Sequence, residues 1–171
     1  MRALLAGYVE VLRGTPLMLQ LYAIFFLLPK IGLALPALVA AIAGLALNYS
    51  AYESEIYRAG LQAIPPGQME AALSLGMSRG QALKRIIVPQ AFRIVIPPVV
   101  NDFIAMFKDT SVCSVVTIIE LTKQFSVLSR NNVADLVVLM VLTGCFYLLM
   151  SYPMSLVARK IEKRLGNEVR A

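Results

Sequence analysis

The sequence predicts an all-α bundle that crosses a membrane about four times, with a short amphipathic helix set between two of the spans. Three observations carry that expectation. The composition is too apolar for a domain solvated by water: 58% of the 171 residues are hydrophobic, 15% are charged and the mean hydropathy is +0.72. Apolar runs recur between clusters of proline, glycine and asparagine, yet none holds the roughly 20 uninterrupted apolar residues of a single-pass anchor. The helices must therefore cover polar groups against one another. Third, the net charge of +6 collects at helix ends, as it does in polytopic membrane proteins.

The same composition removes several classes of function. There is no histidine, and Cys113 and Cys145 stand apart with no ligand spacing, so neither a metal site nor a nucleophilic triad is expected. The two cysteines read as small hydrophobes. Basic residues without aromatic interleaving argue against nucleic acid. No glycine-rich phosphate loop with a lysine is present, so ATP hydrolysis by this chain itself is not expected. A membrane-embedded enzyme would need a catalytic constellation that the residues do not supply. No cleavable signal peptide is expected at Met1, whose neighbours lack the charged, apolar and small-residue pattern.

Met1 to Gly14 carries Arg2, Glu10 and Arg13 among apolar residues, which suits an interfacial or connecting helix. Gly14, Thr15 and Pro16 punctuate it, with Thr15 placed to cap a short apolar helix that carries Pro16 at its first position. That helix runs to Leu28, is closed by Pro29 and Lys30, and is followed by a turn from Gly32 to Pro36. A second span, Pro36 to about Ala59, has the small residues Ala40, Ala43, Gly44 and Ala46 for close helix contact. Its second half is polar: Asn48, Tyr49, Ser50, Tyr52, Glu53 and Glu55 should face the bundle interior or water, since a charge at the bilayer centre costs about 2.5–3.5 kcal/mol. Glu55 and Arg58, three residues apart, read as a structural brace, with direct contact to a solute as the competing role.

Pro65, Pro66 and Gly67 then break the chain, and Gln68 to Leu75 is a run of good helix formers. Gly76 supplies a corner, and Ser78 can cap a second short helix from Arg79 to Val88. Ala72, Leu75 and Met77 can share an apolar side, leaving Glu70, Ser74 and Arg79 for water or a partner. Arg79, Lys84, Arg85 and Arg93 make the segment basic, which places it on the cytoplasmic face.

A third span, Val88 to Phe107, holds Pro89, Pro97 and Pro98 and is expected to break there, the freed backbone groups lining a cavity. Asn101, Asp102, Lys108, Asp109 and Thr110 follow. Asn101 and Lys108 are seven apart, as are Asp102 and Asp109, so a continuous helix would carry two adjacent polar stripes. The alternative is that Lys108 and Asp109 mark the outer interface. Ser111 to Arg130 is amphipathic, an outer helix and loop ended by Asn131 and Asn132. Asp135 opens the last span, Ala134 to Ala158, in which Pro153 can introduce a kink. Arg159, Lys160, Lys163 and Arg164 close it as a basic anchor.

The order Glu70, Ala71, Ala72, Gly76, Ile87, Pro89 and Gln90 resembles the EAA loop of ABC importer permeases. Gly14-Thr15-Pro16-Leu17, Glu55-Ile56 with Arg58, Gln62-Ala63-Ile64-Pro65 and Lys108-Asp109-Thr110-Ser111 resemble the polar amino-acid branch of that family. The resemblance covers nearly the whole chain. It implies one transmembrane permease domain over residues 1–171, with residues 65–88 as its cytoplasmic coupling loop and no cofactor of its own. ATP would be bound by a separate ATP-binding cassette subunit, with Glu70 as the charged contact, Ala71 and Ala72 allowing close seating, and Gly76 making the turn.

The resemblance further implies an extracytoplasmic solute-binding protein as a partner, a second permease subunit, identical or related, and an inner-membrane location. Asn101, Asp102, Lys108, Asp109 and Thr110 become candidate contacts for an amino acid. Lys108 suits its carboxylate, and Asp102 or Asp109 its ammonium or a cationic side chain. An acid at Asp102 favours polar or cationic over anionic amino acids.

Family members carry a further membrane helix before the segment that begins this sequence. A fragment, a misplaced start or a truncation would each account for that, and a non-transporting membrane fragment is the alternative function. With the loop inside, Arg2, Arg13, Arg58, Arg79, Lys84, Arg85, Arg93, Arg159, Lys160, Lys163, Arg164 and Arg170 fall on the cytoplasmic side and Lys30, Lys123 and Arg130 outside. Four spans with both ends inside satisfy that bias.

Overall fold

The computed structural model describes residues 1–169, side chains being described through residue 165; Arg170 lies outside the described residues. Every regular element among them is helical. In chain order they are α1 (Arg2–Arg13), α2 (Leu17–Tyr22), α3 (Ala37–Gln62), α4 (Pro66–Ser74), α5 (Arg79–Ala82), α6 (Val88–Asp109), α7 (Leu121–Asn131) and α8 (Leu136–Val169). Single π-helical turns follow α2 (Ala23–Leu27) and α5 (Leu83–Ile87), and 3₁₀ turns cover Leu28–Ile31, Thr110–Val116 and Val133–Asp135.

Among the described residues two helical stretches are long and apolar enough to cross a membrane, Arg79–Val116 and Val133–Leu165, whose 18-residue apolar segments have mean hydropathies of 1.2 and 2.3; α1 with Leu17–Ile31 qualifies as a third if the pair, bent by 106°, is one span. The 26 residues of α3 are ample in length at about 1.5 Å per residue. Its polar second half keeps it from qualifying on hydropathy as well.

The helices gather into two compact units, Met1–Tyr52 with Ile104–Ser155, and Glu53–Phe103 with the chain from Leu156. In the first unit the bend between α1 and α2 is held by Gln20. Its Nε2 donates to the carbonyls of Leu12 (2.7 Å) and Thr15 (3.1 Å), and its Oε1 accepts from Asn48 Nδ2 at 3.1 Å. Asn48 is only 7% exposed, so this bond removes what would otherwise be a buried unpaired amide. Thr15 does not cap α2 as its position suggests. Its hydroxyl donates back to Val11 O at 2.7 Å, and Pro16 occupies the cap position, one residue before the first helical turn.

Leu21, Ala41, Cys113 and Val116 form the core of this unit, Cys113 serving as a small buried hydrophobe. On α3, Ala40 and Gly44 face inward while Ala46 is exposed, so only part of the small-residue series is a seam. A Cβ on Gly44 would stand 2.5 Å from Leu21 Cδ2, the measure of how closely α2 and α3 approach. Glu120 caps α7 by accepting from the backbone N–H groups of Thr122 (2.8 Å) and Lys123 (2.6 Å), and also accepts from Tyr147 Oη of α8 at 3.0 Å. Asn132 ends α7.

In the second unit Ile64, Ile87 and Ala91 form a small core, with Met69 and Ile86 packed on it. A Cβ on Gly60 would lie 2.1 Å from Val95 Cγ1, so α3 and α6 touch through a missing side chain. The expected break at Pro89, Pro97 and Pro98 is absent: the helical stretch runs through all three prolines without interruption. Two adjacent prolines delete two backbone donors but do not force a helix to end where the surrounding spans hold it, as membrane helices commonly show.

Candidate functional site

The sequence singles out the segment between α3 and α6, and its geometry is that of a rigid helical hairpin. Pro65, with extended backbone (ψ 135°), turns the chain out of α3, and Pro66 sits at the first position of α4, where its missing N–H costs nothing. The far end of α4 is closed by a Schellman motif. Met77 N–H bonds Ala72 O at 3.1 Å, Gly76 N–H bonds Leu73 O at 2.9 Å, and Gly76 is left-handed at φ +81°. A residue with a Cβ would pay a backbone penalty in that conformation, although a Cβ there meets nothing within 4 Å.

Ser78 opens α5 with a reciprocal capping box. Its Oγ accepts from Gln81 N–H at 3.3 Å, and Gln81 Oε1 accepts from Ser78 N–H at 2.9 Å. The second arm does not stop at Val88. It passes through the π-helical turn Leu83–Ile87 directly into α6, so the hairpin's second arm and the spanning helix are one continuous helical stretch.

Two of the motif residues hold this hairpin in place. Ile87 is buried beside Ile64 and Ala91, and Gln90 Nε2 donates to Gln68 Oε1 (3.3 Å) and to Ile86 O (3.0 Å). The outer surface of α4 carries Glu70 and Ala71, both exposed, and Glu70 has no side-chain partner among the described residues. Ala72 faces the opposite way and is 1% exposed. Leu75 departs from the expected apolar side: it is 82% exposed, because the Schellman turn rotates the residue before Gly76 outward while Ala72 and Met77 turn in. A cleft of about 630 Å³ opens beside the hairpin, with Arg85, Gln90 and Arg93 in its wall.

Glu55 and Arg58 form a bidentate ion pair. Arg58 Nε donates to Glu55 Oε1 at 3.0 Å and Nη2 to Oε2 at 2.6 Å, while Nη1 donates to Gln62 Oε1 at 2.8 Å. All three residues lie on the last turns of α3, so the pair stiffens the helix end that leads into the hairpin.

The five polar candidates of α6 and its end have separate surroundings. In the second unit, Asn101 Nδ2 donates to Glu162 Oε1 at 3.1 Å, and Asp102 is half-buried. In the first unit, Asp109 Oδ2 accepts from Tyr49 Oη at 2.8 Å, Thr110 Oγ1 donates to Phe107 O at 2.6 Å, and Lys108 is exposed. Asp109 and Asn101 thus already have protein partners, 60 and 61 residues away in sequence. Local spacing could not reveal either.

Long apolar helices and a stiff exposed hairpin define a polytopic α-helical membrane protein. The comparisons with known proteins narrow this further. Residues 1–167 match the family described as binding-protein-dependent transport system inner membrane component, and the chain belongs to that family. It is 38% identical over 169 residues to the L-cystine transport system permease protein TcyB of Bacillus subtilis, covering 99% of this chain and 72% of the relative. It is 40% identical over 164 residues to the probable glutamine ABC transporter permease protein GlnP of the same organism, covering 94% and 75%. Among solved structures, one described as the crystal structure of an amino acid ABC transporter with histidines superposes with a TM-score of 0.86 at 38% identity. That match covers 93% of this chain and 74% of the other. The chain is accordingly a transport component, a permease of the inner membrane with several spans.

Proposed function

We propose that this chain is the membrane-spanning subunit of an ATP-driven importer of a polar amino acid, neutral or cationic, delivered by an extracytoplasmic binding protein. The hairpin from Pro65 to Val88 is the coupling element. It seats in a separate ATP-binding cassette subunit through Glu70, Ala71 and the turn at Gly76, with Ala72 packing inward behind them. The single observation that supports this is the hairpin's construction. An exposed acid with no side-chain partner among the described residues stands on a short helix closed by a Schellman turn, and the second arm after that turn is helically continuous with a membrane span. Such a piece moves as a rigid lever, and a lever with different contacts in two states is what coupling requires.

The chain binds no cofactor of its own, pairs with an identical or related permease, and has both termini on the cytoplasmic side with the hairpin. Asn101, Asp102, Lys108, Asp109 and Thr110 remain the proposed amino-acid contacts. Asp102 and Lys108 lead, because neither has a partner among the described residues, whereas the other three already make hydrogen bonds. The test is ATPase stimulation by loaded binding protein in the purified, reconstituted complex. The parent complex should be stimulated, and a complex carrying Gly76→Leu should still bind ATP through its ATP-binding cassette subunit but lose stimulation. Normal coupling in that variant would remove the hairpin from the mechanism.

A further inference from the structure

The last described turns of α8 carry a feature that transport does not use. Leu156, Arg159, Lys160, Lys163 and Arg164 follow one another at spacings of three, one, three and one, the positions that share one face of a helix. Together they line an open surface groove of about 350 Å³. All four cations are exposed, and none has a hydrogen bond or ion pair among the described residues. The one acid within this stretch, Glu162, accepts a hydrogen bond from Asn101 Nδ2 at 3.1 Å and pairs with none of the four cations among the described residues, so its single charge offsets only part of theirs. Four like charges within six residues repel one another, and among the described residues only Glu162 offsets part of that repulsion.

The position selects the counter-charge. The group ends the most apolar stretch of the chain, Val133–Leu165, none of whose apolar window is buried within the chain. The membrane interface therefore falls at these turns, with Leu156 at the apolar edge and the cations at headgroup depth. The helix C-terminus itself contributes roughly half a negative elementary charge, which four cations outweigh. Both arginines can engage a phosphate with paired N–H groups, and both lysines can reach it as point charges.

We propose that this face of α8 is a clamp for the phosphodiester headgroup of an anionic phospholipid in the leaflet where α8 ends. The phosphate sits among Arg159, Lys160, Lys163 and Arg164, and the acyl chains run past Leu156 into the bilayer. The clamp fixes the depth and rotation of α8. It rests on nothing in the transport reading and holds or fails independently of it.

The test is lipid retention by the purified full chain in detergent, read by native mass spectrometry with phosphatidylglycerol and phosphatidylcholine offered in equal amounts. The parent should retain phosphatidylglycerol over phosphatidylcholine by roughly tenfold or more, and Lys160→Gln or Lys163→Gln should each lower that preference roughly fivefold. Replacing all four cations by Gln should abolish it, while Lys123→Gln with Arg130→Gln on α7 leaves it unchanged. A variant with Arg159→Lys and Arg164→Lys keeps the charge and should keep the preference, which separates charge from folding. Equal retention of the two lipids by the parent would overturn the proposal. So would a preference that survives the fourfold replacement, as it would if the face docks a protein instead, or displacement of the lipid by millimolar inorganic phosphate.

Discussion

Gln90 on the first turn of α6 donates through Nε2 to Oε1 of Gln68 on the first turn of α4, 3.3 Å away, and so closes the base of the hairpin across 22 residues of sequence. The same amide also bonds Ile86 O. One side chain thus ties α4 to the spanning helix, which makes it a positioning residue for whatever α4 contacts. Gln90→Leu should cost about 1 kcal/mol of stability and lower stimulated ATPase several-fold. Gln68→Leu should do the same, and the double variant should be no worse than either alone. Thermal unfolding and stimulated ATPase of the three variants check this; additive losses would show that the two amides act separately.

Gly76 should be sensitive through its backbone rather than its volume. Its φ of +81° is costly for any residue with a Cβ, yet a Cβ there would meet open space. Gly76→Ala should destabilise by about 1–2 kcal/mol, and Gly76→Asn by less, since Asn tolerates the left-handed region. Denaturation of the detergent-solubilised chain measures both. If Asn restores stability but not coupling, the surface at Gly76 is itself part of the docking site.

At Gly60 the opposite holds. Alanine in a helix is ordinarily favoured over glycine by about 1 kcal/mol, but here its Cβ would fall 2.1 Å from Val95 Cγ1. Overpacking of this kind costs about 1–3 kcal/mol, so the packing term should win and Gly60→Ala should destabilise. Adding Val95→Ala should recover most of the loss. The unfolding midpoints of the single and double variants decide it.

Much of this architecture was legible in the sequence, and the places where it was not share a cause. Breakers and hydropathy located the helices within a few residues, and Gly76 and Ser78 announced the turn and the second cap because both act through their immediate neighbours. What depends on distant neighbours did not show. Pro97 and Pro98 read as a break, yet α6 continues through them. Leu75 read as apolar-facing, but the Schellman turn carries it outward. Thr15 had the composition of a cap, and its hydroxyl instead returns to α1. The Tyr49 to Asp109 and Asn101 to Glu162 bonds join residues some 60 positions apart, so periodicity along α6 could not tell an engaged polar group from an available one. The π-helical turn that fuses α5 to α6 adds a residue to the helical repeat without any hydropathy signature.

The proposed amino-acid contacts make a separate prediction. Asp102→Asn should weaken uptake of cationic amino acids more than of neutral ones, because it removes the negative charge that favours them. Lys108→Ala should weaken uptake of all amino acids alike through the shared carboxylate. Uptake by proteoliposomes with cognate binding protein compares the two. Parent-like transport in both variants would remove these residues from the translocation path.

The central claim is that the hairpin's outer surface is held by an ATP-hydrolysing partner, and cross-linking at Glu70 tests it most directly. In a chain with Cys113→Ser and Cys145→Ser, Glu70→Cys should form a short-linker adduct with the ATP-binding cassette subunit in inside-out vesicles and resist impermeant thiol reagents in right-side-out ones. Labelling of that cysteine from the exterior, with no adduct formed, would contradict the account.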